Sequence, residues 1–330
     1  MMQVVMHVHL IGIAIVIAVG LRIAHNASTQ RRRSRCRSQG HAGQLLSSQA
    51  RWHRALGAFV APPLLLLTTA VAIVTMGERS CHAWEGWLSY GIATAFLWAA
   101  MAIWARLAWR AFRLWQTVQS YAAKTIETQA GPTLGKVLPS PSVFSAQVGL
   151  LPSVLVVSEG LFQHLSPEQV DAVLAHEAGH AYYRDTFWFF WLGGLRQLTG
   201  WLPYSEALWE ELLLLREIRA DLWAARRVDA LVLAESLLSV VTAPLIDSEA
   251  LYAGLSCEAA RKNWLSERVE ALLQEELPAS NQYLGEPSKG NPSQRNLSQS
   301  DRVASFQLSP RHWLGLVWAL TPLLTIPFHH

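Results

Sequence analysis

Charged residues and cysteines are both scarce in this 330-residue sequence. Only 15% of the residues are charged and 51% are apolar, whereas soluble globular proteins carry about 25% charged residues. A purely soluble protein is therefore disfavoured. The cysteines Cys36, Cys81 and Cys257 are odd in number and far apart, which argues against a disulfide framework and against a cysteine-based zinc site. The net charge is only +3 and the arginines cluster beside apolar segments, so no nucleic-acid partner is expected.

Positive charge is absent before the first long apolar segment, residues 4–23, and is concentrated after it in an arginine cluster at positions 31–37. A secretory signal has the reverse order, so this segment is predicted to be a membrane anchor with its N-terminus outside. Segments 56–76 and 87–109 are also about 20 residues or longer, which is enough to cross a hydrocarbon layer about 30 Å thick.

The chain divides into four predicted regions. Residues 1–113 hold three transmembrane helices and an arginine-rich cytoplasmic loop, and residues 114–274 form a cytoplasmic domain. Residues 275–310, rich in Ser, Pro, Asn and Gln, are a flexible linker, and residues 311–330 form a last transmembrane helix. Because lysine and arginine in short loops stay in the cytoplasm, we expect a bacterial cytoplasmic-membrane protein with both termini outside. The sequence does not indicate an oligomeric state.

Turn and capping signals predict the elements of the cytoplasmic domain. The third helix is expected to continue through Lys124 and to be followed by a Gly/Pro-rich connector at residues 131–141. Two short strands are predicted at residues 143–148 and 154–158, with Leu151-Pro152 in the turn between them. The fold class that follows is a mainly α membrane protein with a cytoplasmic α+β domain that contains a small β-sheet.

Ser166 has the pattern of a helix start, with proline next and Gln169 three residues on as a capping-box partner. The helix that begins there is predicted to run without a break to about Asp185. Two further helices are predicted at residues 205–229 and 258–274.

The helix that begins at Ser166 carries the sequence HEAGH. His176 and His180 are four residues apart and therefore lie on one face of the helix, where both imidazoles can bind a zinc ion at about 2.0–2.1 Å. Zinc lowers the pKa of a bound water towards about 7, and Glu177 can take its proton as it attacks a carbonyl carbon. This spacing is typical of HExxH metallopeptidases.

A catalytic zinc site needs a third protein ligand. The metzincin pattern is excluded, because Tyr183 and Thr186 occupy the positions of its glycine and histidine. On the next long helix Glu217 can reach the zinc, while Asp221, one turn later, can accept the free N–H of a zinc-bound histidine. The alternative for each carboxylate is an ordinary ion pair: Glu217 and Asp221 have the neighbours Arg216, Arg219 and Arg226.

Residues 142–273 resemble the membrane-bound gluzincin peptidases, a group that includes HtpX-like heat-shock proteases, CAAX prenyl endopeptidases and the protease domains of beta-lactam sensor proteins. The resemblance is carried by "LPSVLVVSEGLFQHLSPEQVDAVLAHEAGH" and the later "REIRAD". It implies a zincin-like fold with one Zn²⁺ per chain, bound by His176, His180 and Glu217, and Glu177 as general base. It also implies that one strand pairs with an extended polypeptide substrate; the residues of that strand are Val154, Leu155, Val156 and Val157.

Segment 186–202 is apolar enough to resemble a fifth span, but a crossing there would separate Glu217 from His176 and His180. We therefore predict a helix or re-entrant turn that lies against the inner leaflet of the lipid bilayer. Its interfacial anchors are predicted to be Trp188, Trp191 and Trp201.

Two functions are compatible with these residues. The leading one is an integral-membrane zinc endopeptidase that hydrolyses peptide bonds of cytosolic or membrane-proximal proteins. The alternative is a non-catalytic membrane scaffold or regulator with a structural or decayed zinc site. Glu177 argues against the alternative, because a structural site has no use for a base. In its favour, no motif identifies an oxyanion-stabilising residue; the candidates are Tyr182, Tyr183, Arg219 and Arg226.

Overall fold

The computed structural model describes residues 4–39, 48–76, 84–127, 131–242 and 264–273. The predicted linker at residues 275–310 and the predicted last span at 311–330 lie outside these residues. The described part combines long apolar helices with a smaller domain that contains one β-sheet, in agreement with the predicted fold class.

Three long helices lie at the N-terminal side of the chain, and each is long and apolar enough to cross a membrane. They extend beyond the apolar segments seen in the sequence, because helical hydrogen bonding continues into the flanking polar residues. The helices are α1 Val4–Gln39, α2 Ser48–Met76 and α3 Trp84–Gln119.

The sheet has four strands in the order β1-β2-β4-β3. Strand β4 pairs in parallel with β2 and antiparallel with β3, and β1 pairs antiparallel with β2. The two predicted strands are present as β3 and β4, with a cis Leu151-Pro152 bond in the turn between them. The strands are β1 Ala122–Ile126, β2 Thr133–Leu138, β3 Ser145–Val148 and β4 Val154–Ser158.

The first two strands correct the sequence-based expectation of a helix through Lys124 and a connector at residues 131–141. Lys124 lies in β1, where it is paired with Gly135 of β2. Gly135 suggested a connector, but it lies inside the strand, where an added Cβ would come within 2.9 Å of Cδ1 at the end of the Ile126 side chain. Long-range packing against Leu155 and Val157 therefore decides the structure of this stretch, and local propensity does not.

Six helices follow the sheet in the described part of the chain. Ser166 caps α5 with its side chain on the backbone N–H of Gln169, and the Gln169 side chain returns to the Ser166 backbone, which confirms the predicted capping box. Helix α7 ends before the predicted residue 229, and a helix that was not predicted follows it. The helices are α4 Glu159–His164, α5 Pro167–Tyr183, α6 Asp185–Thr199, α7 Ser205–Ala224, α8 Ala230–Thr242 and α9 at 264–273.

Segment 186–202 forms most of α6, a continuous helix of 15 residues. Its length of about 22 Å is too short to cross a hydrocarbon layer of about 30 Å. One face of α6 packs with α2 and α7 in a shared core that includes Phe59, Leu195 and Leu212. The side chains of Trp188, Trp191 and Trp201 are exposed, and their contact with lipid stays a prediction.

Candidate metal centre

The centre is built where α5 and α7 approach each other most closely. Gly179 of α5 faces Ala220 of α7, and a Cβ added at Gly179 would lie 3.2 Å from both Cα and the carbonyl oxygen of Ala220. Two small residues thus allow the helix backbones to come near contact.

This approach brings His176, His180 and Glu217 together. The two Nε2 atoms are 3.1 Å apart, and Oε2 of Glu217 lies 3.4 Å from Nε2 of His176 and 3.7 Å from Nε2 of His180. Three ligand atoms about 2.0 Å from one tetrahedral zinc ion are separated from each other by about 3.3 Å. The triangle therefore has the size and donor types of a three-ligand zinc site, and the three residues that the sequence selected as ligands are its corners.

His176 is oriented by Asp221, one turn after Glu217. Its Nδ1 lies 2.8 Å from Oδ1 of Asp221, so Nε2 is the nitrogen directed at the triangle. Burial lowers the pKa of His176, but the hydrogen bond and the charge of Asp221, together with Glu217, outweigh burial and raise the pKa to about 9. A carboxylate on the far nitrogen makes an imidazole a stronger ligand.

Asp221 is itself fixed by a cation from α9. Nε and Nη2 of Arg268 donate to its two carboxylate oxygens at 2.6 and 2.8 Å, a bidentate arrangement. Arg268 also places Nη1 3.5 Å from Oε2 of Glu217. The ion-pair partner of Asp221 is thus Arg268, and not the neighbouring Arg226 weighed from the sequence.

His180 has its own carboxylate, Asp185, at the first position of α6. Nδ1 of His180 lies 2.8 Å from Oδ2 of Asp185, and Arg219 of α7 donates to the other oxygen, Oδ1. Asp185 reaches back to the histidine because Arg184, between α5 and α6, adopts a left-handed conformation with φ 54° and ψ 43°. Burial lowers the pKa of His180, but Glu217 and Asp185 raise it above its ordinary value.

Glu217 uses its two oxygens for different partners. Oε1 accepts hydrogen bonds from Nε and Nη2 of Arg216 at 3.0 and 2.6 Å, while Oε2 faces the two imidazoles. Burial raises the pKa of Glu217, yet Arg216 and His180 lower it well below its ordinary value. The ordinary ion pair considered from the sequence is therefore present, and it leaves one ionised oxygen directed at the histidines.

Glu177 is buried beside the ligands, with Oε1 accepting a hydrogen bond of 2.9 Å from Oγ of Ser145. Ser145 is the first residue of β3, so the sheet orients this carboxylate from outside the helix that carries it. Glu177 directly follows His176 on α5, and its role as general base stays a prediction.

The predicted substrate strand needs correction. Val154, Leu155, Val156 and Val157 belong to β4, which has β2 on one side and β3 on the other. Its backbone groups are used within the sheet, and three of these four side chains are fully or almost fully buried. A peptide cannot be added to an interior strand. Within the described residues, the sheet edge nearest the ligands is β3, which contacts α5 through Ser145.

Sequence reasoning missed the supporting roles of Asp185, Arg268 and Ser145. None of these three residues lies on the helix that carries HEAGH, so helical spacing does not relate them to its histidines. Arg219 was considered as an oxyanion stabiliser, but the structure places its guanidinium on Asp185. The contact between Asp185 and His180 depends on the left-handed conformation of Arg184, and no residue type in the sequence indicates that conformation.

Comparison with known proteins gives one match. The model of peptidase family M48 matches residues 108–266, from the end of α3 into α9, and so includes the whole of HEAGH and the three residues that the geometry brings together, His176, His180 and Glu217. No curated protein and no solved structure matches the chain.

Proposed function

Residues 108–266 belong to peptidase family M48, a family of zinc metallopeptidases, and on this premise we propose that the chain is an integral-membrane zinc endopeptidase. Its substrates would be cytosolic or membrane-proximal polypeptides. The observation that supports this most strongly is the triangle of His176, His180 and Glu217, whose edges of 3.1, 3.4 and 3.7 Å fit one tetrahedral ion.

Each polar group of the centre has a defined task in this proposal. His176, His180 and Glu217 would hold one zinc ion, which when bound would supply Lewis acidity and lower the pKa of water. Glu177 would accept a proton from the water that attacks the carbonyl carbon and pass it to the nitrogen that leaves when the carbon–nitrogen bond breaks. Ser145 keeps Oε1 of Glu177 in place, so that Oε2 is the oxygen available for the proton.

An extended polypeptide would bind along the outer edge of β3. Strand addition needs backbone groups that are not used within the sheet, and β3 is the edge strand that touches the helix of HEAGH. A substrate backbone there lies next to Ser145 and therefore next to Glu177. This assignment replaces β4 as the substrate-binding strand.

The membrane arrangement is part of the same proposal. Helices α1, α2 and α3 are long and apolar enough to be spans, and the arginines at positions 31–37 favour a cytoplasmic side for the loop after α1. The metal centre would then face the cytoplasm of a bacterial cell, with the N-terminus outside. Residues 275–310 and 311–330 would be a linker and a last span.

The test is the substitution Glu177→Gln in full-length protein purified in detergent. Gln has nearly the same shape but cannot take a proton, so the variant is expected to keep about one zinc per chain, as wild type does, and to lose cleavage of added unfolded membrane proteins. Zinc is measured by elemental analysis and cleavage by gel and mass spectrometry. Glu168→Gln, an exposed glutamate on the same helix α5, is the matched control and should behave as wild type.

Three results would contradict the proposal. Equal fragmentation by wild type and Glu177→Gln would assign the activity to a contaminating protease. A wild type without zinc would remove the metal site. Zinc at full stoichiometry with no cleavage by wild type would favour the scaffold or regulator alternative.

A further inference from the structure

The first turn of the apolar helix α2 reaches the metal centre by two routes that start at adjacent residues. Arg51 and Trp52 are about 100° apart around the helix axis, so their side chains contact different parts of the domain. Neither residue lies within the part of the chain that matches the peptidase family, 108–266.

Arg51 joins α2 to two helices of the centre. Its Nη1 donates to Oε1 of Glu267 at 2.7 Å, and its Nη2 to Oε1 of Glu211 at 3.4 Å. Glu211 is on α7, the helix of the ligand Glu217, and Glu267 is on α9. One guanidinium therefore fixes the position of α9 relative to both α2 and α7.

The residue after Glu267 is Arg268, which holds both oxygens of Asp221. Fixing Glu267 fixes the backbone of Arg268 and so the direction from which it approaches Asp221. Asp221 in turn lies 2.8 Å from Nδ1 of His176. The first route thus runs from Arg51 through α9 to the imidazole of His176.

Trp52 starts the second route. The guanidinium of Arg219 lies between two aromatic rings, 4.2 Å from the centre of the Trp52 ring and 4.1 Å from that of Tyr183. A cation between two ring faces has its plane and position restricted. Arg219 donates to Asp185, which pairs with Nδ1 of His180.

We propose that Arg51 and Trp52 are positioning residues for the metal site, so that the first turn of α2 helps to orient both histidine ligands. Partners of the far nitrogen fix the ring orientation of a metal-binding histidine. Here each partner is an aspartate and each aspartate is held by an arginine; Trp52 of α2 contacts Arg219 directly, and Arg51 of α2 acts on Arg268 through the preceding residue, Glu267. The inference rests on the zinc site of the proposed function.

The test measures metal binding to the full-length chain, with zinc and cobalt as the probes. Losing a direct partner of a ligand costs about 10- to 100-fold in metal affinity; because Arg51 and Trp52 act one or two contacts further away, we expect about 3- to 10-fold weaker zinc binding for Arg51→Gln and for Trp52→Leu. The double variant should show the product of the two factors, since the two routes share no side chain. The absorption bands of bound Co²⁺ should shift, because they report ligand geometry.

Matched variants separate positioning from general stability. Arg54→Gln removes a charge from the same end of α2, where Arg54 bonds to its own helix at Ala50. Trp209→Leu removes an indole packed against the same core, in contact with Phe59 and Phe189. Both controls should keep wild-type zinc affinity and cobalt bands, and Arg51→Lys and Trp52→Phe should restore most of the affinity.

The outcomes distinguish this inference from the function on which it rests. If wild type binds no zinc, both are overturned. If wild type binds zinc and Arg51→Gln and Trp52→Leu bind it as tightly as their controls, only this inference is overturned. Weaker binding that Trp209→Leu reproduces, in proportion to a lower unfolding temperature, would also overturn it.

Discussion

The two histidines of the centre are supported in the same way but by different parts of the chain. His176 has an aspartate from the other long helix, Asp221, held by Arg268 at both oxygens. His180 has an aspartate only five residues away, Asp185, held by Arg219 at one oxygen. The first support is long-range and bidentate, whereas the second has a local carboxylate and a single hydrogen-bonded oxygen.

This difference shows where the stability of each support comes from. Asp221 is fully buried, and the side chain of its partner Arg268 is only 13% exposed. Asp185 is nearly as buried, but Arg219 is 21% exposed and is also held by two aromatic rings. Loss of the aspartate therefore leaves Arg268 in the less exposed position of the two, with Oε2 of Glu217 at 3.5 Å as its remaining partner, whereas Arg219 keeps its two aromatic rings.

The largest effect is expected for Asp221→Ala. Arg268 would lose its bidentate partner in a mostly buried position, which costs about 3 kcal/mol of folding stability, and zinc affinity should fall by about 100-fold. Asp185→Ala should cost about half as much, about 1.5 kcal/mol, and about 10-fold in zinc affinity. Thermal unfolding followed by the fluorescence of the 15 tryptophans, and zinc competition, measure both quantities.

Asp171→Ala, a carboxylate of α5 outside both supports, is the control for this pair and should change neither quantity. Equal losses for Asp221→Ala and Asp185→Ala would show that the bidentate contact from α9 adds nothing. A larger loss for Asp185→Ala would reverse the comparison.

A smaller effect is expected for Gly179→Ala, which tests the close contact between α5 and α7. The new Cβ would meet the Ala220 backbone at 3.2 Å, so α5 and α7 must separate by a few tenths of an ångström, at a cost of about 1 kcal/mol, the lower end of the usual cost of an added methyl group in a packed contact. Gly193→Ala is the control, because nothing lies within 4 Å of its added Cβ.

Double variants locate the damage. Because Asp221 reaches His176 across the α5–α7 contact, Gly179→Ala and Asp221→Ala should not be additive in zinc affinity. Gly179→Ala and Asp185→Ala should be nearer to additive, since Asp185 itself follows α5 directly and only its partner Arg219 lies on α7. Additivity with both aspartates would mean that the separation of the helices does not act through Asp221.

The same comparison explains which parts of the site the sequence could predict. His176 and His180 follow from helical spacing, because positions four apart share a face, and Glu217 with Asp221 one turn later follows from the gluzincin pattern of a third ligand on a second helix. Asp185 needed the backbone conformation of Arg184, and Arg268 is 47 residues from its partner. Sequence spacing contains no information on contacts of either kind.

The fold was predictable to a similar extent. The three apolar helices and the start of α5 at Ser166 have local causes, namely length, apolar composition and a capping box. The pairing of β4 with both β2 and β3 has no local cause, and so the sequence identified β4 as a strand but assigned it the role of an edge. Strand order depends on which chain segments meet in three dimensions. The segments that make β4 an interior strand include β2, which the sequence analysis predicted to be a connector.

The smallest effect is expected for Ser145→Ala, which acts on the base and on neither histidine support. Its hydroxyl donates to Oε1 of Glu177 at 2.9 Å, and its loss frees a carboxylate that is still confined by burial. We expect kcat to fall about 3- to 10-fold, equal to roughly 1 kcal/mol of barrier, with zinc affinity unchanged. Ser153→Ala, just before β4, is the control and should leave both unchanged. A drop in zinc affinity for Ser145→Ala would show that β3 supports the metal ligands as well as the base, so that the centre would have a third support beside the two compared here.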